Sequence, residues 1–229
     1  SMLARDFSPN RLEASKKVAI DFIDGRKNDR IGLAVFAGES FTQCPITTDH
    51  TVLKNLINDI KSGIIEDGTA IGLGLATAVD RLKESPGKSK VIILLTDGVN
   101  NTGFINPITA AEIAKSFGVR VYTIGVGSKG MAPYPVQTPY GIQYQSMEVK
   151  IDEALLQQIA EMTGVGYYRA TSNKKLKDIY KEIDQLERSK IEVTSFQRFT
   201  DKFLLFALLG TIIFTLEIIT RYTIFKSYP

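Results

Sequence analysis

The chain has 229 residues, 44% of them hydrophobic, enough for one medium-sized α/β domain with a buried core and a further segment. Its 28 basic and 25 acidic residues leave a net charge of only +3, and no basic run interleaved with aromatics occurs, which argues against a nucleic-acid surface. A single cysteine, Cys44, excludes an internal disulfide and a cysteine-based zinc site. One histidine, His50, with no Ser or Cys nucleophile near it, argues against acyl-transfer chemistry.

The elements follow in chain order. Ser8 and Pro9 supply an N-cap and a first-turn proline, and Leu12, Val18, Ala19, Phe22 and Ile23 recur at helical spacing until Gly25. The apolar run Ile31 to Ala37 reads as a strand that pairs with Phe41 to Ile46 across Gly38, Glu39 and Ser40. Asp49 caps a helix carrying Val52, Leu53, Leu56, Ile57 and Ile60, and a second helix runs from Ile71 to about Glu84. Val91 to Leu95, five consecutive apolar residues, suits a strand buried on both faces of a parallel sheet. A helix over 108–117, a strand over 119–126, a helix over 152–163, a strand over 167–170 and a helix over 173–187 complete the alternation. That rhythm predicts a parallel sheet flanked by helices.

Residues 129–150 interrupt it with prolines and glycines and are expected to form a protruding loop or small hairpin. Its tyrosines, Tyr134, Tyr140 and Tyr144, are candidate partner contacts, since tyrosine offers large contact area at low entropic cost; packing of this loop on its own domain is the alternative. Cys44 lies in an apolar stretch and is expected to be a buried structural thiol. The charged run beginning at Lys174 reads as the solvated face of a helix.

Beyond Phe203 the composition changes. The span 203–225 carries only Glu217 and Arg221 as charges and corresponds to about 35 Å of helix, long enough to cross a bilayer. The domains are accordingly expected to be 1–190, a juxtamembrane linker at 191–202, a transmembrane helix at 203–225 and a tail at 226–229. Basic residues balance across the span, so orientation stays open.

Three separated stretches carry hard oxygen donors. Ser1 and Met2 have the form of the end of an Asp-x-Ser-x-Ser-Met motif; Asp67, Gly68 and Thr69 lie in a loop before a helix; Thr96, Asp97 and Gly98 follow the Val91 strand. In an open parallel sheet ligands collect at the carboxyl ends of the strands. Two hydroxyls, from Ser1 and Thr69, and the carboxylate of Asp97 are donors of the kind Mg2+ accepts, with water completing the shell. Each piece alone has a simpler reading, an Asp-Gly turn or a helix cap at Thr69. Their joint occurrence favours the metal.

These motifs, together with Tyr122 to Gly127, resemble a von Willebrand factor type A domain over about residues 1–190. The chain is similar in particular to the BatA and BatB aerotolerance-type membrane proteins of bacteria. The resemblance implies a Rossmann-like α/β fold and a metal-ion-dependent adhesion site, with Ser1 and Thr69 on or near Mg2+ and Asp97 acting through water. It implies no catalysis: a partner protein fills the remaining position with an acidic side chain. It also implies a bacterial inner-membrane location and a complex with other von Willebrand A proteins and a MoxR-type ATPase, connected with envelope stress. The leading Asp, the first Ser and the central strand that carries them are not in the chain. It is therefore expected to be a fragment, to bind metal weakly, and to have a divided sheet. Two other functions stand beside this one: a Mg2+-dependent phosphohydrolase using the same crest, for which Asp97 lacks a second acidic partner, and a structural membrane protein with a vestigial site.

Overall fold

The computed structural model describes residues 1–87, 89–139, 141–195 and 203–223. They fall in two compact units, Ser1–Arg188 and Ser189–Pro229.

The first unit is organised around strand β4 (Val119–Val126), hydrogen-bonded in parallel to β3 (Lys90–Thr96) on one side and β7 (Tyr167–Ala170) on the other. Its β-branched sequence suits a position buried on both faces. Val119 and Val121 join Ile92 and Leu94 in one core layer with Ile71, Leu75, Ala110, Leu156 and Ile159. Those residues come from helices α3 (Ile71–Leu82), α4 (Pro107–Ser116) and α5 (Glu153–Met162). Tyr122, Ile124 and Val126 project into a second layer with Val18, Leu176, Ile179 and Ile183 of α1 (Arg11–Asp24) and α6 (Asn173–Ser195). Each fully buried Leu or Ile contributes about 1.5–3 kcal/mol, so these layers supply the main drive for folding. Glu187 ties α6 to the sheet, accepting from the Tyr122 hydroxyl at 2.7 Å and pairing with Arg120.

Strands β1 (Ile31–Phe36) and β2 (Ser40–Thr47) form the expected antiparallel hairpin, covered by α2 (His50–Asn58) through Leu53, Ile57 and the buried Cys44. Burial first, and the nearby Asp49 charge second, push the Cys44 thiol up, as befits a structural cysteine. No ladder among the described residues joins β1 to β3. The hairpin and the parallel strands are thus separate sheets among the described residues. The segment after β4 is a hairpin, β5 (Met131–Thr138) and β6 (Gly141–Glu148).

Two expectations are corrected. Helix α1 is capped not by Ser8 but by Asn10, whose side chain accepts from the Glu13 amide at 2.9 Å, so Pro9 precedes the helix. Asn is as strong a cap as Ser, and only from position 10 does the helix present Ala14 and Val18 to the core. Thr69 is not a helix cap either: the N-cap of α3 is Ala70, with no side-chain cap bond.

Helix α6 runs on to Ser195, into the stretch read as a linker. In the second unit, α7 is helical from Phe203 to Thr223. Among the described residues no helix is long and apolar enough to cross a membrane. The transmembrane helix expected over 203–225 is therefore not supported by the described residues. Leu208, Ile212, Ile213, Phe214 and Leu216 are nevertheless all exposed.

Candidate metal centre

Because β3, β4 and β7 are parallel, their carboxyl ends meet at one crest, with Thr96 opposite Gly125 and Val126 opposite Ala170. Asp97 follows β3 there, only 5% exposed. The Ser1 hydroxyl donates to Asp97 Oδ1 at 2.5 Å.

Thr69 reaches the same crest from the loop before α3. A carbon placed on Gly98 would lie 3.0 Å from Thr69 Oγ1, so the hydroxyl abuts the residue after Asp97. The loop after Asp97 splints the Thr69 loop. The Thr69 amide donates to Asn101 Oδ1 at 2.8 Å, the Asn101 amide to the Thr69 carbonyl at 3.1 Å, and the Ile71 amide to Asn100 Oδ1 at 2.8 Å. Asn100 therefore satisfies the first helical amide that Ala70 cannot cap. Gly68 makes the crossing tight: a carbon there would meet Thr102 Oγ1 at 2.7 Å and Gly38 Cα at 2.9 Å. The Thr102 hydroxyl is buried without a hydrogen-bond partner. The structure thus brings together all three oxygen donors singled out in the sequence.

Two residues of this centre carry no sequence motif. Arg11, 2% exposed, donates from Nη1 to Asp97 Oδ2 at 3.0 Å and grips Asp6 with Nε and Nη2, at 2.8 and 2.7 Å. Asp6 Oδ2 also accepts from the Ser128 amide at 2.7 Å. Burial disfavours the Arg11 charge, but the bonds to Asp6 and the field of Asp97 outweigh it and raise its pKa. Burial likewise opposes ionisation of Asp6, and hydrogen bonds from Arg11 and the Ser128 amide overcome it, holding the carboxyl below the usual aspartate range. A second acid therefore stands one guanidinium away from Asp97. The available signal was position: Arg11 falls on the buried face of α1 with Ala14 and Val18, where an unpaired charge would be very costly.

The donor set is two hydroxyls and a carboxylate, with the unpartnered Thr102 hydroxyl nearby. Among the described residues no group of three or more His, Cys, Asp or Glu side chains could hold an ion. Hard oxygens of this kind fit Mg2+ rather than a metal wanting nitrogen or sulfur ligands. Both Asp97 oxygens already hold hydrogen bonds, which suits contact with an ion through water.

Tyr134 and Tyr144 do not share a face. Tyr134 pairs with Gln145 and Tyr144 with Pro135, successive register positions that project from opposite faces of the ribbon. Tyr134 is half-buried; Tyr144, 45% exposed, lies under the Arg5 guanidinium, 4.4 Å from ring centre to Cζ. Tyr140 lies outside the described residues.

The family model of the von Willebrand factor type A domain matches residues 1–182. A protein of Borreliella burgdorferi is 36% identical over 170 residues, covering 73% of this chain and 50% of its own length, so the chain spans about half of that relative. BatB from Bacteroides thetaiotaomicron is similar in structure, with a TM-score of 0.70, 34% identity, and coverage of 82% of this chain and 94% of its own. An aerotolerance-related membrane protein of Bacteroides fragilis gives 0.68, 34%, 81% and 92%. Proximal thread matrix protein 1 of the mussel byssus, in a form with a zinc-occupied MIDAS motif, gives 0.57, 27%, 78% and 41%. The fold, the crest and these matches together establish that the chain belongs to the von Willebrand factor type A domain family and is similar to proteins of the BatA and BatB type.

Proposed function

We propose that the chain is a membrane-anchored, Mg2+-dependent protein-binding module, in which Ser1, Thr69 and Asp97 hold the ion and an acidic side chain of another protein completes its coordination. The observation that carries the reading is the Ser1–Asp97 hydrogen bond with the Thr69 hydroxyl against Gly98, three hard donors from distant stretches on one crest. The relative with a zinc-occupied MIDAS motif supports a divalent ion in this type of domain, and the Bacteroides fragilis membrane protein supports a membrane setting. When bound, the ion would act as a Lewis acid that attracts an anionic ligand. The chain's own part is to hold hydroxyls and carboxylate in place on rigid strand ends and to frame them with a specific surface.

Phe104, 88% exposed in the stretch between Asp97 and α4, is the apolar residue proposed for that frame. The proposed partners are proteins offering a carboxylate beside an apolar residue, among them other von Willebrand A proteins and a MoxR-type ATPase in an envelope-stress complex. Titration calorimetry of Mg2+ into the chain tests the reading. Thr69→Ala and Asp97→Ala are each expected to weaken the ion at least about tenfold; if neither does, the crest is not the site.

A further inference from the structure

We propose that Arg11 is the resident counter-ion of Asp97 and sets how tightly the crest holds a divalent cation. The inference rests on the metal reading above and goes beyond it by naming a residue that works against the ion.

Three facts carry it. First, Arg11 is locked in place: a carbon on Gly127 would lie 2.9 Å from its Nη2, so the guanidinium is wedged between that backbone and the two carboxylates. Second, its charge is divided. Two of its nitrogens serve Asp6 and one serves Asp97, and all three side chains are almost wholly shielded from water. Third, in such surroundings charges act strongly on one another. An ion held by Ser1, Thr69 and Asp97 would share the Asp97 carboxylate with Arg11, two cations on one carboxylate.

The consequence is a charge-poor site. Arg11 keeps the Asp97 carboxylate paired and oriented when no ion is bound, where a lone buried carboxylate would be costly. The same guanidinium lowers the affinity for the ion. It leaves the ion short of negative charge, a deficit that an anionic ligand relieves. Asp6 governs the strength of this effect by drawing the guanidinium partly away from Asp97.

Arg11→Ala would strand two buried carboxylates and threatens the fold itself, so the test uses milder changes. Mg2+ alone is titrated calorimetrically into the full chain in detergent micelles as wild type, Asp6→Asn, and the double variant Asp6→Asn with Arg11→Gln. Thermal melts followed by circular dichroism check folding and give an independent measure of Mg2+ binding. Asp6→Asn gives the guanidinium wholly to Asp97 and is expected to weaken Mg2+ about threefold; the double variant removes the competing charge and is expected to bind about tenfold tighter. Stabilisation by Mg2+ should follow the same order. A double variant that is folded yet binds Mg2+ no tighter than wild type overturns the role of Arg11 and leaves the metal site standing. Absence of Mg2+ binding in all three proteins, wild type included, defeats the metal reading and this inference with it.

Discussion

Ser1 donates its hydroxyl hydrogen to Asp97 at 2.5 Å, across 96 positions of sequence. The bond spends the hydroxyl's one proton on the carboxylate, leaving its lone pairs as the atoms available to a cation. Ser1→Ala removes donor and ligand together. Because Ser1 is exposed, the stability cost is expected to be about 1 kcal/mol or less, while Mg2+ affinity falls about tenfold. Chemical denaturation and calorimetry separate the two effects. Equal affinity in Ser1→Ala and wild type would remove Ser1 from the site.

Gly72 is the closest approach on the crest. A carbon there would lie 2.1 Å from the Ile105 carbonyl oxygen and 2.8 Å from the Pro107 nitrogen, both backbone atoms that cannot rotate aside. Gly72→Ala is expected to cost about 2–3 kcal/mol by forcing α3 away from the 98–106 loop, despite the better helix propensity of alanine. A urea-unfolding midpoint equal to wild type would contradict it.

The Asp6 carboxyl links pH to stability. Its folded pKa lies below the ordinary value of 3.8, so the stabilisation is complete above that value and is lost as the pH falls through the lower, folded one. Wild type should therefore lose stability in this acid window. Asp6→Asn, with no proton to take up, should start less stable and lose less between about pH 5 and pH 2. Parallel acid limbs in urea-unfolding midpoints would show that Asp6 is not the titrating group.

Much of this was legible in the chain because it is local. Strand β4 over Val119–Val126 and the Asp49 cap follow from a β-branched run and from cap chemistry set within a few residues. The place of Asp97 at the crest was legible because parallel strands send their carboxyl ends to one edge. Arg11 and Asp6 were legible only in part: the buried face of α1 marks Arg11 as needing a partner close by, but its bond to Asp97 depends on how α1 lands on the sheet. The opposite faces of Tyr134 and Tyr144 also depended on a turn register that composition does not specify.

Phe104 separates partner binding from metal binding. It is almost fully exposed and lies in the stretch between Asp97 and α4. Phe104→Ala should leave Mg2+ calorimetry unchanged and weaken capture of an acidic partner by about 1–3 kcal/mol, the range for a large aromatic at an interface centre. A change in Mg2+ affinity would mean that the residue shapes the site itself.

Helix α7 offers the last test, on the proposed anchor. Its backbone is helical for 21 residues, Phe203–Thr223. Its hydroxyls are satisfied within the helix: Thr211 donates to the Ala207 carbonyl at 3.0 Å, Thr215 to Thr211 at 2.9 Å, and Thr220 to Leu216 at 3.0 Å. That is the arrangement a lipid environment demands, where no water is on hand for a polar group. Exposed Leu208, Ile212 and Phe214 would then face acyl chains. Ile212→Asp with Phe214→Asp places two charges near the middle of the helix, at a cost of about 3 kcal/mol each for insertion. Wild type should float with phospholipid vesicles and resist alkaline extraction, and the double variant should stay in the soluble fraction. Flotation of both to the same extent would mean that α7 does not anchor the chain through its apolar surface.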